Sequence, residues 1–367
     1  MRDQRADALA QILVRYSTKV AKGDVCVIQS TTTAEPLVQA VYEEVLRAGG
    51  LPVMQLATEV AKEAFFDLAD DEQLDWIPPI AKWAVEQADV RIAIMAEANT
   101  RALTGADPRK QARVERARKP LMETSMKRAA TGEYRWSLTL FPTHAYASEA
   151  GMSLSDYEDF YYRACLATDG DPITAWKRTS DDVLRITEWM QGKEEVRIQG
   201  PDTDVRLNVS GRRWIPCVGH HNMPDGELFT GPVEGSVEGE VAFSFPAVYG
   251  GREVAGVRLR FEDGRVVDAS AERGEDFLLE TLDTDDGARR LGELGIGTNY
   301  GIATATKEIL LDEKIGGTVH LAVGMSYPET GGVNDSAVHW DMVCDLRQGG
   351  SITVDGEELQ RDGRFVV

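Results

Sequence analysis

The sequence predicts a mixed chain in two parts, a doubly wound α/β domain over residues 1–194 and a β-rich domain of the α+β class over 195–367. Three observations carry this expectation. The 367 residues are about twice the usual domain length of ~100–200, enough for two separate cores. In the first half, apolar strand-like runs alternate with amphipathic helical runs, the rhythm of a parallel sheet covered by helices. From Val196 onward the pattern changes to short alternating strands separated by glycine turns.

Taken in order, Leu9, Ile12, Leu13 and Tyr16 recur at three- and four-residue spacing and predict a helix over 6–20. The run 25–29 reads as the first strand. Ser30, Thr31, Thr32 and Thr33 then stand as N-cap candidates, Pro36 suits a first helical turn, and a helix over 37–48 stops at Gly49-Gly50. Further strands are expected at 52–56, 90–95 and 136–141, with a helix over 109–118 that Pro120 closes. A helix over 180–190 ends the first part. In the second part, strands are expected at 205–209, 241–245, 257–261 and 265–269, and Asp263-Gly264 and Asp355-Gly356 are hairpin turns. One long helix, 275–291, interrupts them.

Charge and composition exclude several functions. With 61 acidic and 40 basic side chains the net charge is −21, which opposes binding to a phosphate backbone, so no nucleic-acid partner is expected. The acidity reads as a solvated surface, with adaptation to a salty cytoplasm as the alternative. No run approaches the ~18 apolar residues of a membrane span, and the first residues lack an apolar export segment, so a cytoplasmic protein without a membrane partner is expected. Cys26, Cys165, Cys217 and Cys344 are far apart and form no C-x-x-C pair, which predicts reduced thiols. The turn 29–36 holds no glycine, so the G-x-G-x-x-G fingerprint of dinucleotide binding is missing.

The informative residues lie in the second half. Over 318–324, period-2 alternation places Thr318, His320 and Ala322 on one face and Val319, Leu321 and Val323 on the other. Over 337–343 the same rule aims His339 and Asp341 at one face and Val338, Trp340 and Met342 at the opposite one. That couple fits either an N,O pincer for a metal or a structural His–Asp hydrogen bond. Glu227 heads the segment after the Pro224-Asp225-Gly226 turn, and Glu293 sits among Gly292, Gly295 and Gly297 in a stretch expected to be tightly turned. Three carboxylates and two imidazoles without a thiolate suit Zn²⁺, Co²⁺ or Mn²⁺. Two ions sharing a bridging carboxylate fit this set better than one.

These segments also carry a resemblance. Residues 222–232 (NMPDGELFTGP), 291–299 (LGELGIGTN), 318–324, 327–332 (YPETGG) and His339-Trp340-Asp341 resemble the thermophilic aminopeptidase family of cocatalytic metallopeptidases. The likeness reaches the first half at 31–36, 102–105, 141–143 and 149–160, and so covers nearly the whole chain. It implies that Glu227, Glu293, His320, His339 and Asp341 bind two divalent ions, with Glu293 as the bridge. It further implies that Tyr327 lies at the metal centre, able to donate a hydrogen bond to a developing oxyanion, and that Glu313 is a further ligand or the general acid/base. His144, His220 and His221 match no ligand position and are expected to be structural.

The reaction so implied is hydrolysis of the N-terminal bond of peptides with a free N-terminus, by a homodimer enclosing a cavity. Two other readings stand beside it: a non-catalytic small-molecule binding protein, and a dinuclear amidase or esterase with another substrate.

Overall fold

A computed structural model describes residues 3–168 and 170–367. The chain forms two compact units, Met1–Trp176 with Gly219–Met223, and Lys177–Val218 with Pro224–Val367. Among the described residues, no helix is long and apolar enough to cross a membrane.

The first unit is built on a parallel sheet of β1 (Val25–Thr31), β2 (Leu51–Ala57), β3 (Val90–Met95) and β4 (Arg135–Leu140), in the order β2-β1-β3-β4, extended beyond β4 by the short strand Asn222–Met223. Three local expectations are corrected here. The first helix, Gln4–Gln11, widens into a π-type stretch, Ile12–Ser17, and stops there because the amide and hydroxyl of Thr18 both bond back to the Leu13 carbonyl, at 3.1 and 2.7 Å. The hydroxyls after β1 do not cap a helix: Ser30 donates to Ile94 O and Thr31 to Ala96 O, tying the end of β1 to β3, and the helix Glu35–Ala48 starts at Ala34 without a side-chain cap. Pro120 does not close its helix, which runs unbroken over Pro108–Ala130. Pro120 and Arg116 are exposed, so water can serve the carbonyl that the proline leaves without its intrahelical donor.

The second unit holds two large antiparallel sheets that share one core, and a small two-stranded pair, Ala247–Tyr249 with Arg252–Val254. The larger runs Arg265–Ser270, Arg258–Glu262, Glu238–Ala242, Thr203–Asn208, Glu195–Gly200, Ser351–Val354, Glu357–Arg361 and Arg364–Phe365. Two of its tight hairpins turn at Asp263-Gly264 and Asp355-Gly356 as expected, where all four φ angles are positive, between 49° and 81°. The smaller sheet comprises β5 (Ile215–Cys217), β6 (Glu227–Thr230), β7 (Leu291–Gly297), β8 (Thr318–Gly324) and β9 (His339–Asp345), in the order β9-β8-β7-β6-β5.

Leu228, Leu294, Ile296, Val319, Leu321, Trp340 and Met342 from the smaller sheet join Val196, Ile198, Val205 and Leu207 from the larger in a single buried cluster. The helix expected over 275–291 is only Glu275–Leu282, since Asp285 accepts the amides of Gly287 and Ala288 and turns the chain toward β7.

Candidate metal centre

Strand register gathers the residues singled out from the sequence. Gly297 pairs with Glu227, Gly295 with His320, Glu293 with Ala322, Ala322 with Asp341, and Gly324 with His339. Directly paired residues point to the same face of a sheet, so Glu227, Glu293, His320, His339 and Asp341 all project from the side opposite the shared core. A slip of one residue in any of these strands would send its polar side chain into that core.

Small residues leave room for this face. A Cβ at Gly295 would lie 2.0 Å from the His320 ring, so the imidazole lies directly over the glycine. A Cβ on Gly292 would stand 2.3 Å from the Met325 carbonyl oxygen, and one on Gly297 2.1 Å from that of Ile315. The stretch around Glu293 is therefore an extended central strand, not the tight turn expected, and its glycines serve close approach without positive φ.

Glu293 sits between the two imidazoles. His320 Nε2 lies 3.3 Å from its Oε1 and 3.6 Å from Glu227 Oε2, while His339 Nε2 lies 3.4 Å from its Oε2 and 3.5 Å from Asp341 Oδ2. Each ring is held from behind: His320 Nδ1 lies 3.0 Å from Glu313 O, and His339 Nδ1 lies 2.9 Å from Met325 O. A carbonyl can only accept, so both Nδ1 atoms carry hydrogen and both Nε2 atoms face the carboxylates. Two sets of ligand atoms result, Glu227/Glu313/His320 and Glu293/His339/Asp341, each within 4.8 Å of one another.

The electrostatics ask for a cation. Glu227 and Glu293 are each 5% exposed, and Glu227 Oε2 is buried with no hydrogen-bond partner, a costly arrangement for an ionised group. Burial raises the Glu313 carboxyl to about 7 despite Lys314, and raises Asp341 as well. Burial also works against a charged His320, but its bond to Glu293 and the charge of Glu227 prevail and lift it to about 10. The negative charge that draws a proton to His320 would draw a divalent ion in its place. Mixed carboxylate and imidazole donors, with ring orientation set by backbone carbonyls, fit such an ion.

Glu313 and Tyr327 are brought to the same place. Glu313 joins the Glu227/His320 set, and the Tyr327 ring packs edge-on against His339 and Phe229, with centroids at 5.0 and 5.6 Å. Tyr327 is 37% exposed, and burial of its hydroxyl beside Glu293 and Asp341 raises the phenol above its ordinary range.

Sequence reading missed Lys314, which is fully buried, with Nζ 3.2 Å from Glu227 Oε1 and in contact with the Glu313 carboxylate. Burial opposes its charge, but Glu227 and Glu313 outweigh that and raise its pKa. It also missed Asp225 and Cys217, which form a third set with Glu227. The one sequence signal was the apolar flank of Lys314, Leu311 before it and Ile315 after it. His220 and His221 lie in the first unit, packed on Tyr16 and Trp136.

Comparison with known proteins identifies the family. A family model described as thermophilic metalloprotease (M29) matches residues 2–365. The chain is 29% identical to Aminopeptidase 2 of Geobacillus stearothermophilus, over 99% of this chain and 98% of that protein. It is 26% identical to Aminopeptidase T of Thermus thermophilus, over 98% of each. Its fold matches the solved structure of wild-type AmpT from Thermus thermophilus with a TM-score of 0.86 at 25% identity, covering 99% of both chains. A 2,5-dihydroxypyridine dioxygenase from Pseudomonas putida KT2440 shares the fold alone, with a TM-score of 0.60 at 14% identity over 100% of this chain and 98% of that one.

Proposed function

The chain belongs to the thermophilic metalloprotease (M29) family and is a metal-dependent aminopeptidase, and from that premise we propose that it removes N-terminal residues from peptides at a dinuclear centre. Glu227 and His320 would hold one ion and His339 and Asp341 the other, with Glu293 placed between the two pairs. The observation that carries the proposal is the placing of the two Glu293 oxygens against different imidazoles.

Two divalent ions bound there would supply an acidified water and Lewis-acid polarisation of the scissile carbonyl. Glu313 takes the proton of the attacking water and returns it to the leaving amine, a role that suits a buried carboxyl beside the ligands and against Lys314. Tyr327, on the rim of the site, donates its hydroxyl hydrogen to the carbonyl oxygen as negative charge develops there. Lys314 occupies Glu227 Oε1 and leaves Oε2 facing His320. The Glu313 and Met325 carbonyls fix both imidazoles before substrate arrives, so that none of the reorganisation falls in the transition state.

All these residues fall in the proposed catalytic domain, 195–367. The family likeness also supports a homodimer working in the cytoplasm, which sedimentation and cell fractionation can check. The decisive test strips the protein with a chelator and restores Co²⁺, Zn²⁺ or Mn²⁺ while metal per chain and aminoacyl-anilide turnover are followed together. Two ions per chain at full activity support the reading, and full activity with one ion, or with none, removes it. An N-acetylated substrate hydrolysed as fast as the free amine would instead favour a dinuclear amidase.

A further inference from the structure

The first unit contains a feature that peptide hydrolysis does not use. Strands of a parallel sheet covered by helices are ordinarily apolar on both faces. Here one such face carries three long polar side chains together. Register pairs Val27 with Arg91 and Gln29 with Gln55, so Gln29, Gln55 and Arg91 project from the same side of β1, β2 and β3.

Above them the helices Pro79–Gln87 and Pro108–Ala130 close down onto the sheet only in part, Ala84 joining Val27 and Tyr134 in one buried cluster. They leave a half-open cavity of about 480 Å³, within the range of about 300–1,000 Å³ usual for small-molecule sites. Ala84, Val85, Leu121 and Met122 form its apolar roof, and the buried Tyr134 closes one wall.

The polar groups of this cavity are unbalanced. Arg91 Nε donates to Gln29 Oε1 at 2.8 Å, which occupies one lone pair of that amide oxygen. Gln55 Nε2 is buried and has no hydrogen-bond partner. Arg118 adds a second guanidinium at the roof, and among the described residues lining the cavity none is acidic. Positive charge is thus in excess, and the buried Gln55 donor without an acceptor is costly. A ligand that restores the balance brings acceptors and a negative charge on an apolar body. A free amino acid does not, because its ammonium would meet two guanidinium groups and no carboxylate.

We propose that this cavity binds an apolar monocarboxylate, its carboxylate bonded to Arg91 and Gln55 and its hydrocarbon body against Ala84, Leu121 and Met122. Guanidinium and carboxylate match as charged, planar partners, and the amide of Gln55 supplies a further donor. Such a ligand is chemically distinct from a peptide substrate, which needs a free N-terminal amine.

The test is calorimetric titration of the full chain, in its metal-loaded form, with sodium octanoate, octanamide and leucine. Octanoate is expected to bind one per chain, while octanamide and leucine give no saturable heat. Arg91→Gln is expected to weaken octanoate at least about tenfold, the size of a lost charge-assisted bond, with aminoacyl-anilide turnover and thermal midpoint unchanged. Leu121→Trp, which fills the cavity from the roof without touching the polar floor, should abolish binding as well. The proposal is overturned if wild-type protein gives no saturable heat, if octanamide binds as tightly as octanoate, or if both variants bind like wild type. The last result would place the carboxylate elsewhere, the metal centre included.

Discussion

Glu293 reaches His320 with one oxygen and His339 with the other, at 3.3 and 3.4 Å, so a single side chain on the central strand joins the two halves of the site. Replacement by glutamine keeps the shape, removes the charge and turns one oxygen into a donor that cannot ligate. Glu293→Gln is therefore expected to lower kcat by on the order of a thousandfold or more and to reduce bound metal below two per chain. Its circular dichroism should match that of the metal-free parent. Near-normal turnover with two ions retained would end the bridging role.

Gly295 is the next point of leverage, because its missing side chain is the space in which the His320 ring lies. Backbone flexibility is not the issue, since Gly295 has no positive φ. Gly295→Ala should displace the imidazole, cost about 1–3 kcal/mol of stability and weaken metal binding. Denaturant unfolding of the chelated protein and metal titration measure the two effects separately. Wild-type metal affinity in this variant would show that the ring has room the geometry denies it.

How much of this was legible in the sequence differs from strand to strand. Val319, Leu321 and Val323 alternating with His320, and Val338, Trp340 and Met342 alternating with His339 and Asp341, disclosed both the strands and their polar face, because a half-buried strand writes its two sides at period two. Glu293 could be selected but not placed. Three glycines in seven residues read as a turn, whereas they thin a central strand so that neighbouring groups can approach, and that need is set by His320, Met325 and Ile315, which sequence spacing does not connect to it. The role of Lys314 was hidden for a similar reason, its apolar flank being a weak signal. Beside Glu313 it resembles a solvated charge pair, and its depth is fixed by long-range pairing: Asn299 donates to its carbonyl at 3.0 Å and bridges to Ile315. Pro120 misled in the other direction, since its cost to a helix depends on whether water can reach the freed carbonyl.

Asp285 ties down the chain that leads to His339. It accepts the amides of Gly287, Ala288 and Ala337 and the hydroxyl of Ser336, at 2.8 to 3.0 Å. The Ala337 amide foremost holds its pKa below the ordinary 3.8. For a carboxyl depressed on folding, the stability it contributes is present above the unfolded value and is lost as pH falls through the folded one. The difference in thermal midpoint between wild type and Asp285→Asn should thus be full at pH 6 and shrink below about pH 3.8, where protonated aspartate becomes a close analogue of asparagine. A difference independent of pH from 6 to 3 would mean that hydrogen-bond geometry, not charge, is what Asp285 supplies.

Glu313 separates two roles that its position allows. As an indispensable ligand beside Glu227 and His320, its loss would empty that half of the site; as the proton carrier, its loss would leave the ions and stop the chemistry. The half around His320 retains Glu227, His320 and the Oε1 oxygen of Glu293 without it, three donors of the kind that suffice for a catalytic ion with an open position. Lys314 contacts Glu313 as well as Glu227, so charge in that corner is partly balanced even when no ion is bound. Glu313→Gln keeps a group able to bond but not to exchange a proton. It is expected to hold two ions per chain, leave KM within a few-fold and lower kcat by about 10²–10⁴-fold. Metal analysis of the purified variant, set beside its steady-state constants, decides between the roles, since loss of one ion in step with activity would make Glu313 a ligand and leave the proton to another group.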